Sequence, residues 1–250
     1  MSTDSLRSLN GFLGGAMLIE SLARDASNAA VIFFAGWGMD ARPFENIRHE
    51  KLGCDLLLLH SYHKQSEQEA QTFAHLTTRY KQTAVVGWSF GVAVAWELFD
   101  VSPGAVASFT AVNGTPCPIH ARYGIDPRIM RLTVERFGEA GRQAFYTNMC
   151  GGEREGFRVP ERSTEDLATE LVYLQRRFEG KAIIQDHSSL KFPVQAYVSR
   201  QDHIMPMKRQ ISAWEKWQVP CQCVEGPHYN ATLLTDVLQQ AASHVRNLAL

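Results

Sequence analysis

The sequence predicts an α/β protein with a mostly parallel sheet and helices on both of its faces. Apolar runs alternate with segments of helical period over residues 16–112, which is typical of βαβ units. The run at residues 54–59 contains four successive leucines, as expected for a strand covered on both faces. A length of 250 residues with a hydrophobic fraction of 45% suits one α/β domain that carries an insertion.

The strands of the first half are assigned from short runs of apolar and β-branched residues. Residues 30–34 form the clearest run and lead directly into a glycine-rich loop at residues 35–38. Residues 66–80 have helical spacing and connect two of the strands. The predicted strands are residues 16–23, 30–34, 54–59, 83–86 and 108–112.

The pattern changes between about residues 120 and 186, where helical periods dominate. We predict helices over residues 128–137 and 140–150. A third helix follows Ser163, which can cap its amino end together with Asp166 three residues later. One apolar face of that helix is formed by Leu167, Leu171, Leu174 and Phe178.

Strand character returns at residues 194–198 and 222–224, and a final helix over residues 231–248 is capped by Asn230. Because the helical segment interrupts the sheet, we expect it to cover the carboxyl ends of the strands. The predicted organisation is a core of residues 1–118 and 188–250, with a helical lid of residues 119–187 inserted after the sixth strand.

Composition and cysteine use exclude several classes of function. A formal net charge of −1 gives no reason to expect a nucleic-acid or membrane partner. Residues 11–19 are interrupted by glycines and lack a compact basic segment before them, so we do not expect a signal peptide. Five cysteines are scattered without zinc-binding spacing, so we expect reduced thiols and a cytoplasmic location.

Residues 87–91, Gly-Trp-Ser-Phe-Gly, carry the strongest functional signal in the chain. They lie between the predicted strand at 83–86 and an apolar, alanine-rich helix at 92–99. A serine on such a strand-to-helix turn projects its hydroxyl above the sheet, and the flanking glycines let neighbouring elements approach it. The motif therefore predicts that Ser89 is a nucleophile.

A serine hydroxyl is a weak nucleophile, so it needs a base, and the base needs an acid that orients it. His228 fits the base because it follows the predicted strand at 222–224. Asp202 fits the acid because it comes just after the strand at 194–198. The chain order Ser89, Asp202, His228 is the one expected for this architecture.

The sequence offers one alternative for each partner. His203 is a rival base, but it is a loop neighbour of Asp202 and cannot easily turn back to that carboxylate and also reach Ser89. Asp186 is a rival acid, but it lies at the end of the predicted lid. We therefore predict a triad of Ser89, Asp202 and His228.

An oxyanion hole needs two N–H donors, each typically worth about 2.7–4 kcal/mol of transition-state stabilisation. One donor is expected from Phe90, the residue after the nucleophile. The other is expected from Trp37, because Gly36 and Gly38 leave room on both sides of its N–H. The indole of Trp37 either walls the pocket or fills the core, and the sequence leaves both interpretations open.

These features resemble the α/β-hydrolase superfamily, and more narrowly the carboxylesterases that demethylate pimeloyl-acyl-carrier-protein methyl ester in biotin synthesis. The resemblance rests on residues 36–38 (GWG) and 87–91 (GWSFG), on Asp202 followed by Pro206, and on residues 226–228 (GPH). Residues 33–40 (FFAGWGMD) are similar to the compact BioG type. The BioH type usually has His-Gly where this chain has Ala-Gly.

The resemblance implies an acyl-enzyme mechanism that requires no metal or organic cofactor. In it Ser89 attacks the ester, His228 is the general base and Asp202 orients the imidazole. It also implies an acidic acyl-carrier protein as the partner. The predicted lid is rich in arginine, which suits recognition of carboxylate and phosphate. We expect the carrier to dock on some of Arg128, Arg131 and Arg142, the alternative being a solvated helical surface with i,i+4 ion pairs.

Two other functions are compatible with the sequence. A thioesterase, or another hydrolase of small esters or C–C bonds, would use the same triad. A ligand-binding module on the same fold would not need all three of Ser89, Asp202 and His228, and a fluorophosphonate probe would not label it. The fold alone does not supply the substrate.

Overall fold

The computed structural model describes residues 17–25, 27–49, 52–63, 66–101, 106–181 and 190–249. Its strands are β1 (Leu18–Ala23), β2 (Ala29–Phe34), β3 (Asp55–His60), β4 (Gln82–Trp88), β5 (Val106–Val112), β6 (Val194–Ser199) and β7 (Cys221–Val224). They form one sheet in the order β1-β3-β2-β4-β5-β6-β7. Strand β1 is antiparallel to β3 and the other neighbours are parallel, which confirms the predicted mostly parallel sheet.

The described α-helices are α1 (Ser66–Arg79), α2 (Phe90–Val101), α3 (Pro127–Arg136), α4 (Glu139–Met149), α5 (Thr164–Phe178), α6 (Met207–Lys216) and α7 (Ala231–Ala249). The sequence interpretation missed α6 and a 3₁₀ helix over Arg42–His49. Among the residues described, none of the helices combines the length and apolar character that crossing a membrane requires.

Alternation along β2 sends its side chains into two hydrophobic cores, one on each face of the sheet. Ile32 and Phe34 join the core that contains α1, α2 and α6, whereas Val31 and Phe33 join the core that contains α7. Every residue of β2 is buried, as is every residue of β3. The central strands are therefore covered on both faces, as their apolar sequences predict.

Helices α3, α4 and α5 lie between β5 and β6, and we refer to residues 119–178 as the helical insert. Counted over the described strands, the insert follows the fifth strand and not the sixth, because five strands precede it. Ser163 caps α5 by accepting a hydrogen bond from the Asp166 N–H at 3.1 Å, as predicted. The face of α5 that carries Leu167 and Leu171 is buried, which agrees with the predicted helical spacing.

Gly91 lies in the first turn of α2, where the helix backbone approaches β2. A Cβ atom at this position would lie 2.2 Å from the Phe34 carbonyl oxygen, so a larger residue forces the two elements apart. We expect Gly91→Ala to lower the free energy of unfolding by about 1–3 kcal/mol or more. Urea denaturation followed by circular dichroism measures the loss.

Gly138 provides the matched control, because a Cβ atom there would meet nothing within 4 Å. Gly138→Ala changes a helix N-cap and should cost less than about 1 kcal/mol. Equal losses in the two variants would contradict the close approach of α2 and β2.

Candidate active site

Ser89 occupies the turn between β4 and α2 in a backbone conformation that side chains rarely adopt. Its φ angle is 56°, in the left-handed region, which costs a non-glycine residue about 1–3 kcal/mol. The Ser89 N–H donates to the Val112 carbonyl oxygen on the neighbouring strand at 3.0 Å. The turn therefore holds the serine at the carboxyl edge of the sheet, where its side chain reaches a cavity.

The three residues predicted as a triad lie in one chain of hydrogen bonds. His228 Nε2 is 2.9 Å from Ser89 Oγ, and His228 Nδ1 is 2.7 Å from Asp202 Oδ2. All three side chains are buried, with relative exposures of 6% or less. The imidazole is therefore placed to take a proton from the hydroxyl while the carboxylate accepts from its other nitrogen.

Asp202 is fixed by donors from its own loop and from α6. Its Oδ1 accepts from the N–H groups of Ile204 and Met205 at 2.9 and 2.8 Å. Its Oδ2 accepts from Gln210 Nε2 at 2.9 Å, in addition to the contact with His228. These donors satisfy a buried carboxylate that would otherwise be costly to desolvate.

The backbone of His228 is held by two side chains beneath it. Its carbonyl oxygen accepts from Trp88 Nε1 at 3.0 Å and from Asn113 Nδ2 at 2.8 Å. Asn113 directly follows β5 with a φ of 47°, and its Oδ1 accepts from the Ser199 N–H at 2.7 Å. One asparagine thus links the ends of two strands to the loop that carries the histidine.

Of the two alternatives that the sequence offered, His203 as base and Asp186 as acid, the structure describes only His203. His203 is exposed and lines the cavity that Ser89 faces, whereas the imidazole that contacts Ser89 Oγ belongs to His228. Asp186 lies outside the described residues.

The two predicted oxyanion donors lie on either side of Ser89. Phe90 is the first residue of α2, so its N–H precedes the first hydrogen bonds within the helix. On the other side, a Cβ atom on Gly36 would lie 3.1 Å from Ser89 Cβ, which places the loop after β2 directly against the serine. In the described part of the chain, no main-chain carbonyl oxygen accepts a hydrogen bond from the Trp37 N–H.

The indole of Trp37 packs under the helical insert. Its Nε1 donates to the Leu167 carbonyl oxygen at 3.0 Å, and its ring lies 5.1 Å from that of Phe137 and 4.6 Å from that of Phe145. The ring also lines the cavity. The side chain therefore walls the pocket and joins the core at once, so both sequence interpretations describe part of its role.

The cavity beside Ser89 has a volume of about 270 Å³ and lies under the insert. Most of its lining is apolar, and its polar side chains are those of Ser89, Thr133, Asn148 and His203. Such a lining suits an aliphatic chain. Within the described ranges, no three His, Cys, Asp or Glu side chains form a group that could hold a metal ion.

The three arginines predicted to dock a carrier have different environments. Arg142 donates to the Pro160 carbonyl oxygen at 3.0 Å and to Thr164 Oγ1 at 3.3 Å, and its side chain is only 13% exposed. It therefore ties α4 to the start of α5, and this geometry argues against the predicted docking role. Arg128 and Arg131 are exposed on α3, with Arg131 3.3 Å from Glu179.

Three side chains that hold the site escaped the sequence interpretation. Asn113 directly follows the predicted strand at residues 108–112, and the sequence suggested no role for it. Gln210 lies on α6, which the sequence did not predict. Glu170 accepts from the N–H groups of Tyr62 and Gly38, which belong to the loops after β3 and β2. Helical spacing places Glu170 at the edge of the apolar face of α5, beside a buried arginine, so the sequence alone did not distinguish it from a solvated glutamate.

A sheet of this order with a Ser–His–Asp arrangement at its carboxyl edge defines the α/β-hydrolase fold, and solved structures agree. BioG from Haemophilus influenzae superposes with a TM-score of 0.69 at 24% identity, covering 89% of this chain and 99% of that one. An esterase from Exiguobacterium antarcticum superposes with a TM-score of 0.70 at 10% identity, covering 91% and 95%.

The model of the family described as "Pimeloyl-ACP methyl esterase BioG" matches residues 20–237, and the chain belongs to that family. A malonyl-[acyl-carrier protein] O-methyltransferase of Bacteroides fragilis is 34% identical over 220 residues, covering 86% of this chain. This chain spans only 42% of that relative's length. A pimeloyl-[acyl-carrier protein] methyl ester esterase of Methylococcus capsulatus is 29% identical over 147 residues, covering 49% of this chain and 53% of that protein.

Gln210 supplies a neutral donor to a buried carboxylate, so its loss should destabilise the fold. We expect Gln210→Leu to lower the free energy of unfolding by about 1.5–3 kcal/mol, the range for hydrogen bonds to charged groups. Gln195→Leu is the control, because Gln195 Nε2 donates to a neutral acceptor, Thr110 Oγ1, at 3.1 Å. Chemical denaturation should give a smaller loss for the control, and the reverse order would count against the anchoring role of Gln210.

Proposed function

We propose that this protein is a serine carboxylesterase that hydrolyses the methyl ester of pimeloyl-acyl-carrier protein, releasing methanol, in biotin synthesis. The observation that carries the proposal is the placement of His228 between Ser89 Oγ at 2.9 Å and Asp202 Oδ2 at 2.7 Å. An apolar cavity beside the serine and membership of the BioG family support it.

In the first half of the reaction, Ser89 Oγ attacks the ester carbonyl carbon and its proton passes to His228 Nε2. The resulting imidazolium is stabilised by Asp202, which keeps Nδ1 as the donor. Collapse of the tetrahedral intermediate breaks the bond to the methoxy group, which takes the proton from His228 and leaves as methanol. The product of this half is an acyl-enzyme on Ser89.

In the second half, a water molecule attacks the acyl carbon and gives a proton to His228. The second tetrahedral intermediate releases the carboxylic acid, and the proton on His228 returns to Ser89 Oγ. In both halves the negative charge that develops on the carbonyl oxygen is met by the N–H groups of Trp37 and Phe90. No metal or organic cofactor takes part.

The acyl chain lies in the cavity under the insert, and the carrier docks at its mouth on α3. Ile129 lines the cavity and is 57% exposed, and Leu132 on the same helix is 43% exposed. Arg128 and Arg131 lie beside them on the helix. An apolar surface flanked by cations suits an acidic carrier protein, because complementary charge steers and orients the encounter.

Replacement of the nucleophile tests the mechanism. We expect Ser89→Ala to lower kcat for short p-nitrophenyl esters by about 10⁴-fold or more, because the remaining groups have no nucleophile to activate. The variant should also lose covalent labelling by a fluorophosphonate probe.

Ser243→Ala is the control, because Ser243 is exposed on α7 and does not line the cavity, so its loss should leave turnover unchanged. Turnover by the Ser89→Ala protein at the wild-type rate would refute the mechanism. A folded wild-type protein that neither turns over esters nor takes the probe would instead be a binding module.

The carrier surface makes a separate prediction. We expect the double variant Arg128→Glu, Arg131→Glu to raise KM for the carrier-bound methyl ester by on the order of tenfold, because charge repulsion weakens docking. Hydrolysis of dimethyl pimelate, which has no carrier, should be unchanged. Steady-state kinetics with both substrates measures the two effects.

Arg79→Glu is the control for this charge reversal. Arg79 is exposed at the end of α1, next to the start of β4, and so lies at the opposite edge of the sheet from the cavity. Equal effects of both variants on the carrier substrate would show that net charge, and not the α3 surface, controls KM.

The bond that is cleaved separates the esterase from a thioesterase. Hydrolysis of the methyl ester leaves the carrier acylated with a free terminal carboxylate, whereas thioester cleavage releases the carrier with a bare thiol. Mass spectrometry of the carrier after reaction distinguishes these products directly, and a bare carrier would favour the thioesterase.

A further inference from the structure

A carboxylate of the helical insert contacts the loop that carries one predicted oxyanion donor. Glu170 on α5 has no exposed surface. Its Oε2 accepts from the Gly38 N–H at 3.2 Å, and its Oε1 accepts from the Tyr62 N–H at 2.7 Å. The loops after β2 and β3 are thus both attached to one side chain that comes from outside the sheet.

The loop after β2 has further attachments to the same helix and to Tyr62. Trp37 Nε1 donates to the Leu167 carbonyl oxygen, one turn before Glu170 on α5. The Tyr62 hydroxyl donates to the Ala35 carbonyl oxygen at 2.8 Å. Residue 37 is therefore held through its indole and through the N–H of the peptide that follows it. Because these two contacts fix the side chain of Trp37 and the peptide after it, the Trp37 N–H has little freedom to change its direction.

The charge of Glu170 is balanced within the insert. Arg162 Nη1 lies 2.6 Å from Glu170 Oε2, and Arg162 Nε lies 2.7 Å from Asp166 Oδ2. Burial lowers the pKa of Arg162, but the two carboxylates outweigh that effect and raise it overall. Arg162 therefore stays charged, and Glu170 accepts three hydrogen bonds in all.

We propose that Glu170 is a positioning residue that holds the Trp37 N–H in the oxyanion hole. The inference rests on the proposed hydrolase function of Ser89. Glu170 does not touch the substrate; it acts through the Gly38 peptide and, with Arg162, makes α5 part of the active site. The insert then does more than cover the cavity, because movement of α5 away from the sheet would withdraw an oxyanion donor.

A second buried pair in the same region provides a matched control. Glu69 on α1 is also fully buried, and its carboxylate lies 2.7 Å from Arg177 Nη1 on α5. Arg177 keeps a second carboxylate partner, Glu97, just as Arg162 keeps Asp166. Of these two pairs, only Glu170 and Arg162 form hydrogen bonds with the loop after β2 in the part of the chain that the structure describes.

The experiment compares Glu170→Met with Glu69→Met, because methionine is similar in length to glutamate and has no carboxylate oxygen to accept a hydrogen bond. Both variants should lose stability. Glu170→Met should lower kcat for p-nitrophenyl esters by about 10–100-fold, part of the loss expected when an oxyanion donor is removed, with KM within about twofold. Glu69→Met should keep kcat and KM of the wild type.

The conservative variant Glu170→Gln should restore most of kcat. Its single carbonyl oxygen is expected to take the place of Oε2, where the Arg162 guanidinium and the Gly38 N–H both point. The Gly38 N–H then keeps its acceptor. If Glu170→Met does not fold, Glu170→Asp and Glu69→Asp replace the pair, since withdrawing the carboxylate by one methylene removes the same hydrogen bond.

A second measurement separates this inference from the proposed function. Hydrogen exchange of residues 35–39, followed by mass spectrometry, should be faster in the Glu170 variant than in its Glu69 counterpart. Equal exchange, or equal kcat in the two variants, would overturn the role of Glu170 while leaving the esterase intact. A wild type without esterase activity would overturn the proposed function, and hydrogen exchange would still decide whether Glu170 holds the loop.

Discussion

The strained turn at Ser89 is the constraint on which the rest of the site depends. A left-handed φ at a serine is unfavourable by itself, so the surrounding structure must hold it there. It does so by close backbone approach: Gly91 lets α2 rest against β2, and Gly36 lets the next loop reach the serine. The two glycines thus allow one hydroxyl, the first N–H of a helix and a neighbouring loop to meet at the same point.

The partners of Ser89 are positioned by buried hydrogen bonds that cross between strands. Asn113 at the end of β5 joins the end of β6 to the carbonyl of His228, and Gln210 on α6 reaches Asp202 after β6. Each bond ends on a group that has little access to water, so each has a well-defined direction. The imidazole therefore depends on polar side chains that take no part in proton transfer.

Much of this arrangement was predictable because it follows from local patterns. Short apolar and β-branched runs predicted the strands. The turn motif and the chain order of Ser89, Asp202 and His228 predicted residues that the structure brings together. What the sequence did not reveal depends on tertiary contacts. Gln210 lies on a helix that is preceded by a proline and contains few strongly apolar residues, so its sequence did not predict a helix. Arg142 lies among polar residues of α4 and was predicted to be exposed, but its guanidinium donates to the Pro160 carbonyl oxygen. Neither environment has a local signature.

Glu170 shows the same dependence on tertiary contacts, because its partners come from two loops of the sheet and from Arg162. Burying a carboxylate beside an apolar helical stripe is costly unless donors contact it, so the burial of Glu170 requires fixed partners. Here the donors are two backbone N–H groups and Arg162, all near the carboxyl ends of the strands. The buried Glu170 carboxylate fixes the position of α5 more precisely than leucine contacts do. Apolar side chains can shift along one another at little cost, whereas a carboxylate that accepts three hydrogen bonds loses them when the helix shifts. The insert is therefore held in register with the loop after β2 by the hydrogen bond between the Glu170 carboxylate and the Gly38 N–H.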